Sequence, residues 1–143
     1  MRGLLSLSWQ DNMKKRLLLI DDEIVTLKMT KMLLDQHGFD VETSLTTSEA
    51  ISVLSGNGID LILLDISMPT IDGFDFIKLM SSLRIRVPVV FLSNSNDEYT
   101  VKMALSEGVK RCISKNKQFA ELPQIIEDVL AENANAWNYC HER

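Results

Sequence analysis

LILLDISMPTIDGFDF, residues 61–76, places a carboxylate at the mouth of an apolar run and then breaks the backbone twice. Leu61, Ile62, Leu63 and Leu64 lead into Asp65; Met68-Pro69 and the turn signal Asp72-Gly73 follow, and a second apolar stretch opens at Phe74. A short apolar run bounded by turn signals reads as a strand buried on both faces. Such a strand needs a cover on each side, and the rest of the chain supplies it.

Working outward, residues 17–20 form a second buried run, ending in Asp21, Asp22 and Glu23. Val25, Met29, Met32 and Leu33 then recur at helical spacing, and Gly38 stands where a helix ends. Residues 39–44 alternate like a strand. Thr46 and Glu49 match a capping box, which opens a second helix. Residues 74–84 are helical, and 87–93 form a strand with Pro88 near its start, where a missing N–H is tolerated. A helix ending at Gly108, a strand over 109–114 and a helix opening near Pro123 complete the pattern. Five strands alternating with five helices predict an α/β fold, a doubly wound parallel sheet with helices on both faces. No repeat or low-complexity tract interrupts it.

The chain has 143 residues, enough for one domain with a substantial core. Its net charge of −5 argues against nucleic acid as a direct partner. Lys14, Lys15 and Arg16 are too few to reverse that, and read as a solvated flank. Cys112 and Cys140 have neither the spacing of a zinc site nor the density of a disulfide scaffold. No apolar run approaches the roughly 18 residues of a membrane span, and the cytoplasm is the expected compartment. Residues 1–14 read as a leader, either poorly ordered or with its first twelve residues ahead of a natural start at Met13; residues 15–131 form the folded domain; residues 132–143 are a tail or a linker helix.

In such sheets ligands gather beyond the carboxyl ends of the strands. The first strand ends at Asp21 and Asp22, the third at Asp65, the fourth at Ser93 and the fifth at Ser114 and Lys115. Each has an ordinary reading: Asp22 as a helix cap, Asp65 as a turn former, Lys115 as a solvated lysine. Together they put three aspartates, a hydroxyl and an ammonium at one edge. Several carboxylates so placed repel unless a cation or protons relieve them, and Mg²⁺ suits a site with few carboxylates and retained waters.

The sequence resembles the receiver domains of two-component response regulators. The resemblance rests on Asp21-Asp22, on Asp65 within LLLDISMPTIDG, on Ser93 after PVVFL and on Lys115, and it covers about residues 15–130. It implies a flavodoxin-like sheet of strand order 2-1-3-4-5 and a phosphorylation switch rather than an enzyme in the usual sense. Asp65 is then the phosphoacceptor. Mg²⁺ is held by Asp22, Asp65 and the backbone carbonyl of Ser67, with Asp21 acting through water. Lys115 and Ser93 bind the phosphoryl oxygens. The implied partners are a sensor histidine kinase or phosphotransfer protein and a downstream output domain or protein. A homodimer through the fourth helix, fifth strand and fifth helix is compatible with the mixed charges Lys102, Glu107, Lys110 and Glu127.

Three positions depart from the family pattern. Cys112 stands where an aromatic residue is usual, Asn116 where a proline follows the lysine, and Asn94 where a small residue follows the switch hydroxyl. Ser67 and Ser95 occupy the positions that tune dephosphorylation, and neither aligns an attacking water, so slow or moderate loss of phosphate is expected. These departures motivate the alternative of a pseudo-receiver that keeps the fold and takes no phosphate. A phosphohydrolase needs an acid or base where Ser67 stands. A dinucleotide site needs a glycine-rich turn after the first strand, and DDEIVT lacks one. The chain is either a stand-alone receiver or the front of a longer regulator. Phe119, Leu122, Ile126, Val129, Asn133, Ala136 and Cys140 follow a heptad-like seam; the first four are expected in the core and the rest in a frayed tail.

Overall fold

The computed structural model describes residues 14–56, 58–66, 73–94 and 97–141, with side chains described to Asn133. Five strands, β1 (Arg16–Ile20), β2 (Asp40–Ser44), β3 (Leu61–Asp65), β4 (Val89–Ser93) and β5 (Arg111–Ser114), alternate with five helices. The helices are α1 (Ile24–Gln36), α2 (Thr47–Ser55), α3 (Gly73–Ser82), α4 (Glu98–Ser106) and α5 (Leu122–His141). The strands form one sheet in the order β2-β1-β3-β4-β5, every neighbour parallel. Both the fold class and the strand order are those expected from the sequence.

The apolar runs explain the layers. Leu17 and Leu19 face one side of β1, Leu18 and Ile20 the other, and all are fully buried. Leu61 to Leu64 in β3 behave alike. One face packs against Ala50 and Leu54 of α2, Phe76 and Met80 of α3 and Ala104 of α4. The other packs against Leu27 and Leu34 of α1 and Ile126 and Val129 of α5. Each buried aliphatic contributes on the order of 1.5–3 kcal/mol, and β1, β3 and β4 each supply four buried apolar residues.

The helix ends follow local chemistry. Thr46 Oγ1 accepts from Glu49 N–H at 3.1 Å, while Glu49 Oε2 reaches back to Leu45 N–H at 3.0 Å, one residue beyond the usual capping-box partner. After α1, Gly38 takes φ +86, and the Gly38 and Phe39 amides donate to Asp35 and Leu34 carbonyls. Arg84 plays the same part after α3 with φ +59, an unusual conformation for a residue bearing a side chain.

Three expectations need correction. Val25, Met29 and Met32 lie 65%, 57% and 62% exposed, and the buried face of α1 is Leu27, Thr30 and Leu34. The two faces have similar spacing, and packing on β1 and β2 selects the one with Leu27 and Leu34. The last helix opens at Leu122 behind a 3-10 turn at Phe119–Glu121, with Pro123 in its first turn as expected. Its backbone then stays helical to His141 rather than fraying after the core contacts. Leu122, Ile126 and Val129 are buried, as the seam predicts, whereas Phe119, expected in the core with them, sits only half-buried in the 3-10 turn; the side chains of Ala136 and Cys140 lie outside those described.

Candidate functional site

A parallel sheet delivers all strand ends to one edge, and β3 lies at its centre. Asp65 closes β3 and is buried; Asp21 follows β1 and is buried; Ser93 closes β4 and is buried; Lys115 follows β5. Lys115 starts two strands away from β3, about 10 Å at ordinary strand spacing, so only a long side chain reaches the carboxylates. Its Nζ donates to Asp65 Oδ2 at 2.5 Å and to Asp21 Oδ2 at 3.0 Å. The side chains of Lys115, Asp21 and Asp65 are only 11%, 1% and 4% exposed. The structure therefore brings together Asp21, Asp65 and Lys115 by direct bonds.

The electrostatics follow from this closeness. Burial pushes the Asp21 carboxyl above its ordinary range, and the Asp65 charge adds to that; the Glu23 N–H and the Lys115 ammonium oppose it. Burial alone works against the Lys115 ammonium, but its bonds to Asp65 and Asp21 and their charges outweigh this and raise its pKa. Two buried carboxylates share one ammonium, so the cluster retains excess negative charge and hard oxygen donors. That donor set fits a hard divalent ion such as Mg²⁺. Among the described residues no three His, Cys, Asp or Glu side chains already form a metal cage.

The two adjacent aspartates part company. Asp21 turns inward and its Oδ1 accepts from Glu23 N–H at 2.9 Å, covering the start of α1. Asp22 is exposed at the rim, and α1, whose N-cap is Glu23, has no side-chain cap of the kind anticipated for Asp22. Ser67, expected to offer a carbonyl to the metal, lies outside the described residues, as do Met68, Pro69, Asp72 and Ser95. Gly73, at the far end of that loop, is the first residue of α3 and packs tightly: a Cβ there would stand 2.7 Å from Ile66 Cγ2 and 3.3 Å from Phe91 Cζ. Phe91 in turn meets Phe74 edge-on at 5.6 Å. The glycine thus allows α3 to begin directly over the end of β3.

Ser93 and Lys115 are joined through the backbone, Lys115 N–H donating to Ser93 C=O at 2.8 Å. Cys112 pairs with Phe91 across the sheet and packs against the α3–α4 side of the core. Burial pushes its thiol pKa up, and the Asp97 carboxylate adds to this. No cis peptide occurs among the described residues, so Lys115-Asn116 is trans. Two contacts here were not anticipated from sequence. Gln118 Oε1 accepts from Ser114 N–H at 3.1 Å and its own N–H donates to Ser114 C=O at 2.9 Å, closing the turn after β5. Asn116 Nδ2 donates to Asn94 C=O at 3.1 Å. An amide four residues after a strand end is the only hint sequence offers for the first, and the second is a contact between distant residues.

On the face expected for dimer contacts, Lys102 pairs with Glu98 of its own helix at 3.0 Å, and Arg111 pairs with Glu132. No helix of the described residues is long and apolar enough to cross a membrane.

Residues 17–127 match the family model described as the response regulator receiver domain. The response regulator SaeR of Staphylococcus aureus (strain USA300) is 32% identical over 114 residues, which are 80% of this chain and 50% of that protein. The chain thus spans about half the length of the curated relatives it matches. Among solved structures, a CheY-like response regulator receiver domain protein from Methanospirillum hungatei JF-1 aligns with a TM-score of 0.76 and 24% identity, over 87% of this chain and 99% of that one. A response regulator receiver domain protein from Clostridium thermocellum aligns with a TM-score of 0.76 and 24% identity, over 85% and 98%.

Proposed function

The chain belongs to the response regulator receiver domain family, and we propose that it works as a phosphoacceptor switch whose acceptor is Asp65. As a receiver domain of a two-component system it is a signalling module. The observation that carries the finer reading is the direct bonding of one lysine to two buried aspartates at the end of the central strand.

In the proposed reaction an Asp65 carboxylate oxygen attacks the phosphorus of a phosphohistidine or a small acyl phosphate. A new P–O bond forms as the bond to the donor nitrogen or oxygen breaks, and the donor keeps the electron pair. Catalysis of such a transfer is mainly positioning and neutralisation of the equatorial oxygens. β3 holds Asp65 rigidly. Lys115 is within reach of it and, once a phosphoryl group arrives, exchanges part of its carboxylate pairing for phosphoryl oxygens. Ser93 offers its hydroxyl from the adjacent strand end. Asp21, Asp22, Asp65 and the Ser67 carbonyl would hold Mg²⁺, which when bound supplies further positive charge to the transferring group. The resulting acyl phosphate is reactive, which makes the switch reversible.

The phosphodonor in this proposal is a sensor histidine kinase or phosphotransfer protein in the cytoplasm. The signal passes to an output domain or protein, with pairing of two copies through α4, β5 and α5 as one route. Intact mass after incubation with acetyl phosphate and Mg²⁺ tests the reading. One added phosphoryl group on the parent, absent from Asp65→Asn and absent with chelator, supports it. No adduct, with beryllofluoride also failing to bind, refutes it in favour of a pseudo-receiver. Loss of the adduct within seconds would overturn the slow hydrolysis anticipated from Ser67 and Ser95.

A further inference from the structure

Lys115 does its proposed work from a loop, and a loop holds a charged group in place only as well as it is itself held. The turn after β5 is closed on itself. Gln118 N–H donates to Ser114 C=O, Ser114 N–H donates to the Gln118 side chain at 3.1 Å, and Lys117 N–H donates to Ser114 Oγ at 3.3 Å. Those bonds stiffen the turn but do not orient it against the neighbouring strand end. Two bonds reach outward to the segment that carries Ser93: the backbone bond from Lys115 N–H to Ser93 C=O, and the side-chain bond from Asn116 Nδ2 to Asn94 C=O. The backbone bond continues the β4–β5 ladder, in which Ser93 pairs with Ser114, and holds the turn at its first residue. The second bond, one residue further along both segments, adds a side-chain anchor beyond the end of the ladder.

We propose that Asn116 is a positioning residue, whose side-chain amide clamps the turn bearing Lys115 to the strand end bearing Ser93 so that ammonium and hydroxyl approach the phosphoryl group as one unit. Asn116 touches neither Asp21 nor Asp65 through any bond described above, so its effect is on geometry and not on the charge of the cluster. The proposal rests on the phosphoacceptor reading. It adds that the two segments respond together: a shift of Ser93 toward a phosphoryl oxygen draws the β5–α5 turn with it.

The test compares the parent with Asn116→Ala, Asn116→Asp and Asn116→Gln. Ala removes the donor. Asp keeps the shape but presents a carboxylate to the Asn94 carbonyl. Gln retains an amide donor. The maximal rate of phosphorylation by acetyl phosphate at saturating Mg²⁺ should fall about two- to tenfold in Ala, the range of one net hydrogen bond. It should fall at least as far in Asp, and return to within about twofold in Gln. The Mg²⁺ concentration giving half the maximal rate should not move, and neither should the unfolding midpoint of the Ala variant beyond what a surface change produces. Hydrogen exchange over residues 111–118 should rise in Ala and Asp but not in Gln. Parent-like rates in Ala and Asp, a Gln variant as slow as Ala, or a rate loss that tracks a lowered unfolding midpoint would each overturn the clamp. Should Ala fold poorly, Asn116→Ser, too short to reach Asn94, gives the same comparison. If the parent accepts no phosphoryl group, the phosphoacceptor reading fails, and hydrogen exchange alone then decides whether the clamp exists.

Discussion

Replacing Lys115 by Met removes an ammonium bonded to two buried carboxylates. Methionine keeps the length and apolar stem, so the change isolates the charge. Asp21 and Asp65 would remain side by side at 1% and 4% exposure. Stranding one buried charge costs about 3–5 kcal/mol. We place the cost near the lower end, about 3 kcal/mol, because burial raises the Asp21 pKa and so lessens the cost of neutralising that carboxyl. Urea unfolding at pH 7 in chelator measures the loss, and Lys115→Met/Asp21→Asn should recover more than half of it, since one uncompensated charge is removed. Asp21 also sets a pH signature. Its folded pKa lies above the ordinary 3.8, so between the two values the folded state binds more protons than the unfolded, and its contribution to stability falls as pH rises through that window. Lys115 contributes stability that is present below its ordinary 10.5 and is lost as pH rises through its higher folded value. The Met variant should lose the alkaline contribution and become less destabilised, relative to the parent, at mildly acidic pH. A loss under about 1 kcal/mol, or a double variant no better than the single one, would refute the idea that Lys115 compensates both aspartates.

Gly73→Ala forces a methyl group against Ile66 Cγ2 at 2.7 Å, and should cost about 1–3 kcal/mol in urea unfolding while disturbing the end of β3; a neutral result would show that α3 can lift away freely. On α1, Leu34→Ala should cost about 2–5 kcal/mol, whereas Met32→Glu, on the exposed face, should stay within about 0.5 kcal/mol. The reverse order would mean that α1 packs through its other face. In a Cys140→Ser background, iodoacetamide should modify Cys112 more slowly than a free thiol at pH 8, and the rate should keep climbing above pH 9, because burial raises its pKa. Intact mass against time at several pH values reads this directly, and alkylation as fast as free cysteine would contradict the packing of Cys112 behind α4.

The sheet and the location of its site were legible in the chain because their signals are local. Buried runs such as 61–64 are unlike any helix face, and turn residues bound them. The alternation of these runs with helices then requires parallel strands, which carry Asp21, Asp65, Ser93 and Lys115 to one edge whatever the side-chain details. The choice among near-equivalent local options was not legible. Val25, Met29 and Met32 are as periodic as Leu27, Thr30 and Leu34, and only docking against the sheet decides which set is buried. Asp21 and Asp22 are chemically identical neighbours, and the bend after β1 alone turns the first inward and leaves the second at the rim. The Asn116–Asn94 and Lys115–Asp21 bonds join residues 22 and 94 positions apart. Sequence determined which groups share the edge, because strand polarity follows from chain pattern; tertiary structure decided which of them touch, because contact depends on packing between segments that carry no local record of each other.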